Sequence, residues 1–184
     1  MTRYFITFIV LLMGLSTLPS HAQEISKAEM AGIRAAYSAA KEQIDLNRHS
    51  REQNVPLSDM EIVSHYVIPG CGLTEEVIHY YFTLGEDSVL GTPYYKLYFI
   101  STSYNVAARK FYQEFLFDEE GSALLFFFQS NDAQDGGTDE TRYYYGKNGV
   151  HKSIQGTAEL DEVFAARRAD ALKTAFTLLM NRDY

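Results

Sequence analysis

The pattern of hydrophobic and polar residues predicts a helix at the start of the folded chain. Ser26 and Glu29 form a capping box, the side-chain pair that satisfies the first backbone N–H groups of a helix. Apolar residues then recur every three or four positions, at Met30, Ile33, Tyr37, Ala40 and Ile44. The pattern predicts an amphipathic helix over 27–52, which Pro56 ends.

A second amphipathic pattern lies near the other end of the chain. Thr157 is placed to cap it, and acidic residues follow in the first turn, where the helix dipole favours negative charge. One apolar stripe collects Leu160, Phe164, Ala171, Ala175 and Leu178. We therefore predict a second helix that runs to about Met180.

The segment between the two helices has the pattern of strands. Of the 23 aromatic residues after position 22, 19 lie between Tyr66 and Tyr145, in short runs broken by turn residues. We predict strands at 61–68, 75–84, 94–104, 109–117, 122–130, 140–146 and 149–155. Helix, then sheet, then helix favours an α+β fold, an antiparallel meander sheet of about six or seven strands with both helices packed on one face.

The central hairpin, residues 111–129, predicts that both faces of the sheet are buried. In its two strands apolar side chains occupy both odd and even positions, so the alternation does not separate an apolar face from a polar one. Two helices on one face leave the second face without a cover. We expect curvature, a partner molecule or a ligand to close it, because monomers rarely expose large apolar patches.

Residues 1–22 have the features of a signal peptide. Arg3 precedes an apolar run of about a dozen residues, and a small-residue cleavage site ends at Ala22. The run is shorter than the roughly 20 residues that span a bilayer, so we expect cleavage and no membrane anchor. The predicted organisation is a signal peptide at 1–22 and a single α+β domain at 23–184, periplasmic or secreted.

The charge of the chain narrows the class of partner. Residues 23–184 hold 15 basic and 24 acidic residues. Phosphate binding depends on neutralisation by Lys and Arg, so this excess of acid excludes nucleic acid and anionic membrane as expected partners. We find no phosphate-binding loop, dinucleotide fingerprint or zinc-protease motif, and we expect no cofactor.

One group of reactive side chains suggests an enzyme: His65, Cys71, Glu75, Glu76 and His79. If residues 70–74 form a hairpin loop, His65 lies directly opposite His79, and two imidazoles on one face can ligate a metal. Cys71 is an alternative nucleophile. The sequence thus allows a metal-dependent or Cys/His enzyme, although the spacing matches no established zinc signature and a non-enzymatic protein is favoured.

An acidic stretch in residues 131–140 also invites a metal-binding interpretation. It offers four carboxylates, namely Asp132, Asp135, Asp139 and Glu140. The positions that an EF-hand requires to be acidic hold Gln134 and Gly136, so the pattern fails. The stretch is interpreted as a polar connection between strands.

The remaining candidates are side chains that mix aromatic and polar character. We expect them to line the second sheet face and to bind a small molecule, a peptide or a protein, including a second copy in a homodimer: His79, Tyr81, Tyr98, Tyr112, Glu114, Arg142 and Tyr144. The leading hypothesis is therefore an exported, non-enzymatic binding or interaction module. A purely structural envelope protein is the third alternative, because tyrosine ladders also stabilise sheets without binding anything.

Two segments 28 residues apart, 115–121 and 143–149, share one local pattern. In each, three apolar residues run into a turn whose last member, Gly121 or Gly149, is expected to adopt a positive φ. The pattern resembles uncharacterised small exported proteins of Gram-negative bacteria with Y-x-F-D-x-x-G-x-L-like hairpins. The second copy departs from it, because Gly146 stands where the first has Asp118. This resemblance carries over no activity.

Overall fold

The computed structural model of the protein describes residues 25–51, 59–86, 93–131, 137–156 and 160–180. Helix α1 spans Lys27–Arg51 and helix α2 spans Glu162–Met180. Between them lie seven strands: β1 Asp59–Ile68, β2 Gly72–Glu86, β3 Pro93–Val106, β4 Arg109–Phe117, β5 Ala123–Asn131, β6 Thr138–Gly146 and β7 Gly149–Gln155. The predicted signal peptide, Pro56 and Thr157 lie outside the described residues.

The seven strands form one antiparallel sheet in which each strand pairs with the next along the chain. The predicted α+β class and the meander topology are confirmed. The strand limits differ from the predicted ones by at most three residues. They were predictable because short turns between aromatic runs fix hairpins locally.

The two helices cover opposite faces of the sheet, so the prediction that both pack on one face is wrong. Neighbouring residues of a strand point to opposite faces. Phe99 lies in the core cluster that contains Ile33 of α1, whereas Ile100 lies in the cluster that contains Phe176 of α2. The central strands are apolar on both sides, and each face needs its own covering layer. Helix α1 is what closes the second face.

The apolar stripe of α1 is confirmed, but that of α2 is not the predicted one. Ile33, Ala40 and Ile44 of α1 are buried. In α2 the buried residues are Ala165, Ala169, Leu172 and Phe176, while Phe164 and Leu178 are exposed. The two alanines have no side chain beyond Cβ, so this face can approach the sheet more closely than the bulkier stripe could.

Local hydrogen bonds define where both helices begin. The predicted capping box is present, because the Glu29 N–H donates to Ser26 Oγ at 3.2 Å and the Ser26 N–H donates to Glu29 Oε2 at 3.1 Å. The Ser26 hydroxyl also donates to Glu29 Oε2, at 2.8 Å, and the bonds from this hydroxyl and from the Ser26 N–H lower the pKa of the Glu29 carboxyl, the hydroxyl bond most strongly. Asp161 caps the start of helix α2, because its Oδ1 accepts the Val163 N–H at 2.9 Å.

The two similar hairpin segments have different turns. Gly121 has φ of +79°, as predicted, and the Asp118 carboxylate accepts the Ser122 N–H at 2.7 Å. Gly149 is not among the residues with positive φ, because it pairs directly with Gly146 and leaves a two-residue connection. The predicted positive φ at Gly149 is therefore wrong.

Candidate functional site

The seven side chains predicted to form a binding surface lie on one face of the sheet, the face covered by α1. One row of opposed residues crosses from β2 to β6: His79, Ser101, Glu114, Phe127 and Arg142. The neighbouring row begins at Tyr81 and ends at Tyr144. Tyr112 lies on the same face two residues before Glu114, and Tyr98 packs against the same core cluster. The structure therefore brings the predicted set together.

Helix α1 turns much of this set into core. Tyr81, Glu114 and Tyr144 are buried, and the two tyrosines share a cluster with Ile33 and Ile44 of the helix. Arg142 remains partly exposed over the ring of Phe127, with its guanidinium carbon 4.8 Å from the ring centroid. The open tyrosine surface that the sequence suggested is consequently a helix-covered face with accessible margins.

Glu114 is the polar centre of the covered face. Lys41 Nζ of α1 donates to its Oε1 at 2.8 Å, and Tyr112 Oη donates to the same oxygen at 2.7 Å. Tyr37 Oη of α1 donates to Oε2 at 2.5 Å. The carboxylate side chain is only 3 % exposed, and three donors occupy its oxygens. It is placed to hold the helix on the sheet and not to reach a substrate.

The two tyrosines that contact Glu114 are strong donors with little tendency to ionise. Burial raises the pKa of Tyr37, and the hydrogen bond to Glu114 raises it further. Burial likewise raises the pKa of Tyr112, with the charge of Glu114 as the second cause. Tyr37 belongs to the predicted apolar stripe of the helix, and Lys41 was not among the predicted site residues. The spacing of four residues, which places both on one helix face, was the available signal.

The predicted pairing of His65 with His79 is wrong. His65 is opposite Glu75, and its Nε2 lies 3.0 Å from Glu75 Oε2, whereas His79 is opposite Glu61. The cause is a type II turn, in which Gly70 has φ of +81° and the Cys71 N–H donates to the Ile68 carbonyl at 3.0 Å. This turn is tighter than the loop assumed from the sequence, and it shifts the register.

The described residues give no support to the other metal-site interpretations. Within the described part of the chain, no group of three or more His, Cys, Asp or Glu side chains is arranged to hold a metal ion. Asp132 and Asp135 lie outside the described residues, and Glu140 in β6 contacts Arg142 at 2.8 Å. Cys71 carries a free thiol in the tight turn between β1 and β2.

Helix α1 and one end of the sheet also border an open groove of about 450 Å³. We call it the α1 groove. Its wall on the helix consists of small or polar side chains, Ala36, Ala39, Ala40 and Gln43. Its floor and rim come from the sheet and one turn: Thr83, Lys96, Tyr98, Leu116, Phe117, Asp118, Glu119 and Leu124. Small helix residues leave the space that larger ones would fill.

Tyr98 is the predicted site residue that lines this groove. It follows a register shift between β2 and β3, which leaves it out of the regular pairing. Its hydroxyl is buried and has no hydrogen-bond partner among the described residues. Burial raises the pKa of Tyr98 to about 12, with smaller contributions from Tyr81 and Asp59. A buried hydroxyl without a partner is uncommon, because leaving it unsatisfied costs about 1 to 3 kcal/mol.

Comparison with known proteins adds no relationship, since no family model, curated protein or solved structure matches this chain. Neither helix of the described residues has both the length and the apolar character needed to cross a membrane. The candidate site is therefore identified from geometry alone. It is the α1 groove, with Tyr98 on one side and the alanine-rich face of α1 on the other.

Proposed function

We propose that the protein is an exported, non-enzymatic binding module whose ligand is a small, largely apolar molecule held in the α1 groove. The single observation that carries the proposal is the row of alanines that α1 presents to the end of the sheet, which leaves the groove between them. The signal peptide predicted in residues 1–22 supports export to the periplasm or the medium.

The size of the groove favours a small molecule over a peptide or a protein. Its volume of about 450 Å³ falls within the range of roughly 300 to 1,000 Å³ that is typical of small-molecule sites. A peptide would need an extended cleft or an unpaired strand edge, and the groove is instead closed on one side by a helix. We therefore place one compact ligand between α1 and the β3–β4 end of the sheet.

The lining residues indicate the chemistry of this ligand. Ala36, Leu116 and Leu124 supply apolar surface that matches an aromatic or aliphatic body. At the rim, Lys96 Nζ lies 3.8 Å from Glu119 Oε2, so the single ammonium is already opposed by a carboxylate. A neutral ligand suits this balance, because the Asp118 carboxylate at the same rim already accepts the Ser122 N–H.

The enzyme alternative has less geometric support. Its basis was a pair of facing imidazoles, and the register separates His65 from His79 by four positions along the strands. The deepest carboxylate of the covered face, Glu114, has its oxygens occupied by donors. The structural alternative remains as an outcome of the test, since a protein that only stabilises an envelope would leave the groove without a ligand.

Fluorescence titration with the neutral apolar probe N-phenyl-1-naphthylamine tests the proposal. The wild-type protein should bind the probe saturably with one site. Ala39→Phe should weaken binding by about tenfold, since a ring that fills the groove has a steric cost of about 1.4 kcal/mol or more. Ala39 lies in the groove and is itself exposed, so the substitution does not disturb the core.

Ala35→Phe is the matched control, because Ala35 is exposed on the same helix and is not part of the groove lining. Its binding should equal that of the wild type, and circular dichroism should show both variants folded. An absence of saturable binding, or equal loss in the two variants, would contradict a ligand in the α1 groove.

A further inference from the structure

Strand β1 forms one edge of the sheet and lacks several of the features that normally protect an edge. Among the described strands it pairs only with β2, and its ten residues pair without a register shift. The strand contains no Pro, Lys or Arg. Natural proteins usually blunt edges with such residues, with bulges or with very short strands. By comparison, the opposite edge strand β7 has seven residues and includes Lys152.

From Glu61 to Val67, the α1-covered face of β1 alternates ionisable and apolar residues. Each is matched on β2, so that four cross-strand pairs follow one another: Glu61 with His79, Val63 with Val77, His65 with Glu75, and Val67 with Leu73. The first and third pairs are in contact, at 3.3 and 3.0 Å. Helix α1 does not cover this margin, because Val63 is 47 % exposed and Val67 is 70 % exposed.

This sequence of residues is complementary to itself when the strand is reversed. A two-fold axis normal to the sheet at Val63 places Val63 opposite Val63 of a second copy. The same axis places Glu61 of each copy opposite His65 of the other. Opposed residues of antiparallel strands have Cβ atoms about 4.5 to 5.5 Å apart, which is contact distance for these pairs.

Neighbouring registers lose this match. An axis at Ser64 places Val63 opposite His65 and Glu61 opposite Val67, so that both kinds of pair are broken, whereas the axis at Val63 has such a mismatch only where Val67 lies opposite Asp59. An axis at His65 places two imidazoles directly opposite one another. Moving the axis by one residue shifts the pairing of the two strands by two residues. A pairing shifted by one residue is not relevant, because it would put the α1 face of one copy against the α2 face of the other.

We propose that the protein forms a two-fold symmetric dimer in which the β1 strands of two copies pair antiparallel about Val63. The row that begins with His79 and Glu61 then continues through His65 and Glu75 of the second copy, alternating imidazole and carboxylate across the interface. The sheet residues that pack in one cluster with α1 extend from Tyr81 in β2 to Tyr144 in β6. This cluster does not include β1, so it leaves the β1 edge accessible. The partner is a second copy of this chain.

Sedimentation velocity tests the dimer with two lysine substitutions on the same strand and face. The wild-type protein should sediment as a dimer at micromolar concentration. Val63→Lys should produce a monomer, because two ammonium groups meet on the axis. Val67→Lys should remain dimeric, because the proposed register places position 67 opposite Asp59 of the second copy. A monomeric wild type, or a dimer that survives Val63→Lys, overturns the proposal.

Disulfide trapping tests the register without depending on those variants. In a Cys71→Ser background, Val63→Cys should form a covalent dimer on mild oxidation, because opposed Cα atoms about 4.5 to 5.5 Å apart meet the geometry of a disulfide. In Val67→Cys, the thiols of the two copies lie eight residues apart along the paired strands, or roughly 27 Å, so this variant should not be trapped. Equal trapping at both positions overturns the register.

The dimer and the α1 groove are independent of each other. Ala39→Phe changes the groove and should leave the sedimentation of the protein unchanged, whereas Val63→Lys changes the edge and should leave probe binding unchanged.

Discussion

The Lys41 ammonium of helix α1 lies 2.8 Å from the Glu114 carboxylate in the centre of the sheet. A similar pair exists on the other face, where Arg168 of α2 contacts Glu76 of β2. Each helix is thus held to its own face by one cation and one largely buried carboxylate, in addition to apolar packing. Such pairs contribute mainly to geometry, because the cost of burying the charges offsets much of their attraction.

Removing the Lys41 ammonium should destabilise the protein more than the partial exposure of this side chain suggests. Lys41→Met leaves the Glu114 carboxylate buried with only the hydroxyls of Tyr37 and Tyr112 as donors. We expect the free energy of unfolding to fall by about 1.5 to 3 kcal/mol, the usual contribution of a hydrogen bond to a charged group. Urea denaturation followed by circular dichroism measures the change.

Lys27→Met is the control for this substitution, since Lys27 is exposed at the start of the same helix. It should change the free energy of unfolding by less than about 0.5 kcal/mol, as surface substitutions generally do. Equal effects of the two substitutions would mean that Lys41 does not hold α1 on Glu114.

Sequence patterns predicted the sheet well because its determinants are local. Strands β4 and β7 have the predicted limits, and the capping box at Ser26 starts α1 as expected. The lack of an apolar/polar alternation in the central hairpin also indicated two buried faces, and the structure has them. Each of these features depends on residues that are close together in the chain.

Features that depend on distant residues were not predictable. Nothing in the helix sequences indicated which face each would cover, because an apolar stripe fits either side of a sheet that is apolar on both. The register of β1 on β2 was missed although Pro69 and Gly70 are the residues that favour a type II turn. Lys41 and Glu114 are 73 positions apart, and no local pattern links them.

Gly146 has a packing role that a glycine-to-alanine substitution can expose. A Cβ at this position would lie 2.7 Å from Ile25 Cγ1, which is closer than side chains tolerate. Ile25 is buried beside the capping box of α1, so Gly146→Ala should push on the start of the helix. We expect a loss of about 1 to 3 kcal/mol in the free energy of unfolding, the usual effect of overpacking, measured by urea denaturation.

Gly32→Ala should have the opposite sign. Gly32 lies in α1, and a Cβ there meets nothing within 4 Å. Alanine in an exposed helix position should stabilise the protein by about 1 kcal/mol, because it restricts the unfolded chain. If both substitutions stabilise the protein, Ile25 accommodates the added methyl group and the packing argument for Gly146 is wrong.

The buried tyrosines predict that stability declines at alkaline pH. Burial raises the pKa of Tyr37, Tyr98 and Tyr112 in the folded protein above the value of about 10 that tyrosine has in an unfolded chain. Below about pH 10 these hydroxyls are protonated in both states, so their contribution does not depend on pH. Above it, the unfolded chain releases protons that the folded protein retains, and the free energy of unfolding falls.

For Tyr98 this decline should extend from about pH 10 to its folded pKa of about 12. Each such tyrosine adds a slope of up to about 1.4 kcal/mol per pH unit. Urea denaturation at several alkaline pH values, with tyrosinate absorbance as a second probe, should show ionisation occurring together with unfolding. Tyr98→Phe should lessen the slope and cost little stability near pH 8, because its hydroxyl lacks a partner among the described residues. A slope unchanged by this substitution would show that Tyr98 ionises alike in both states.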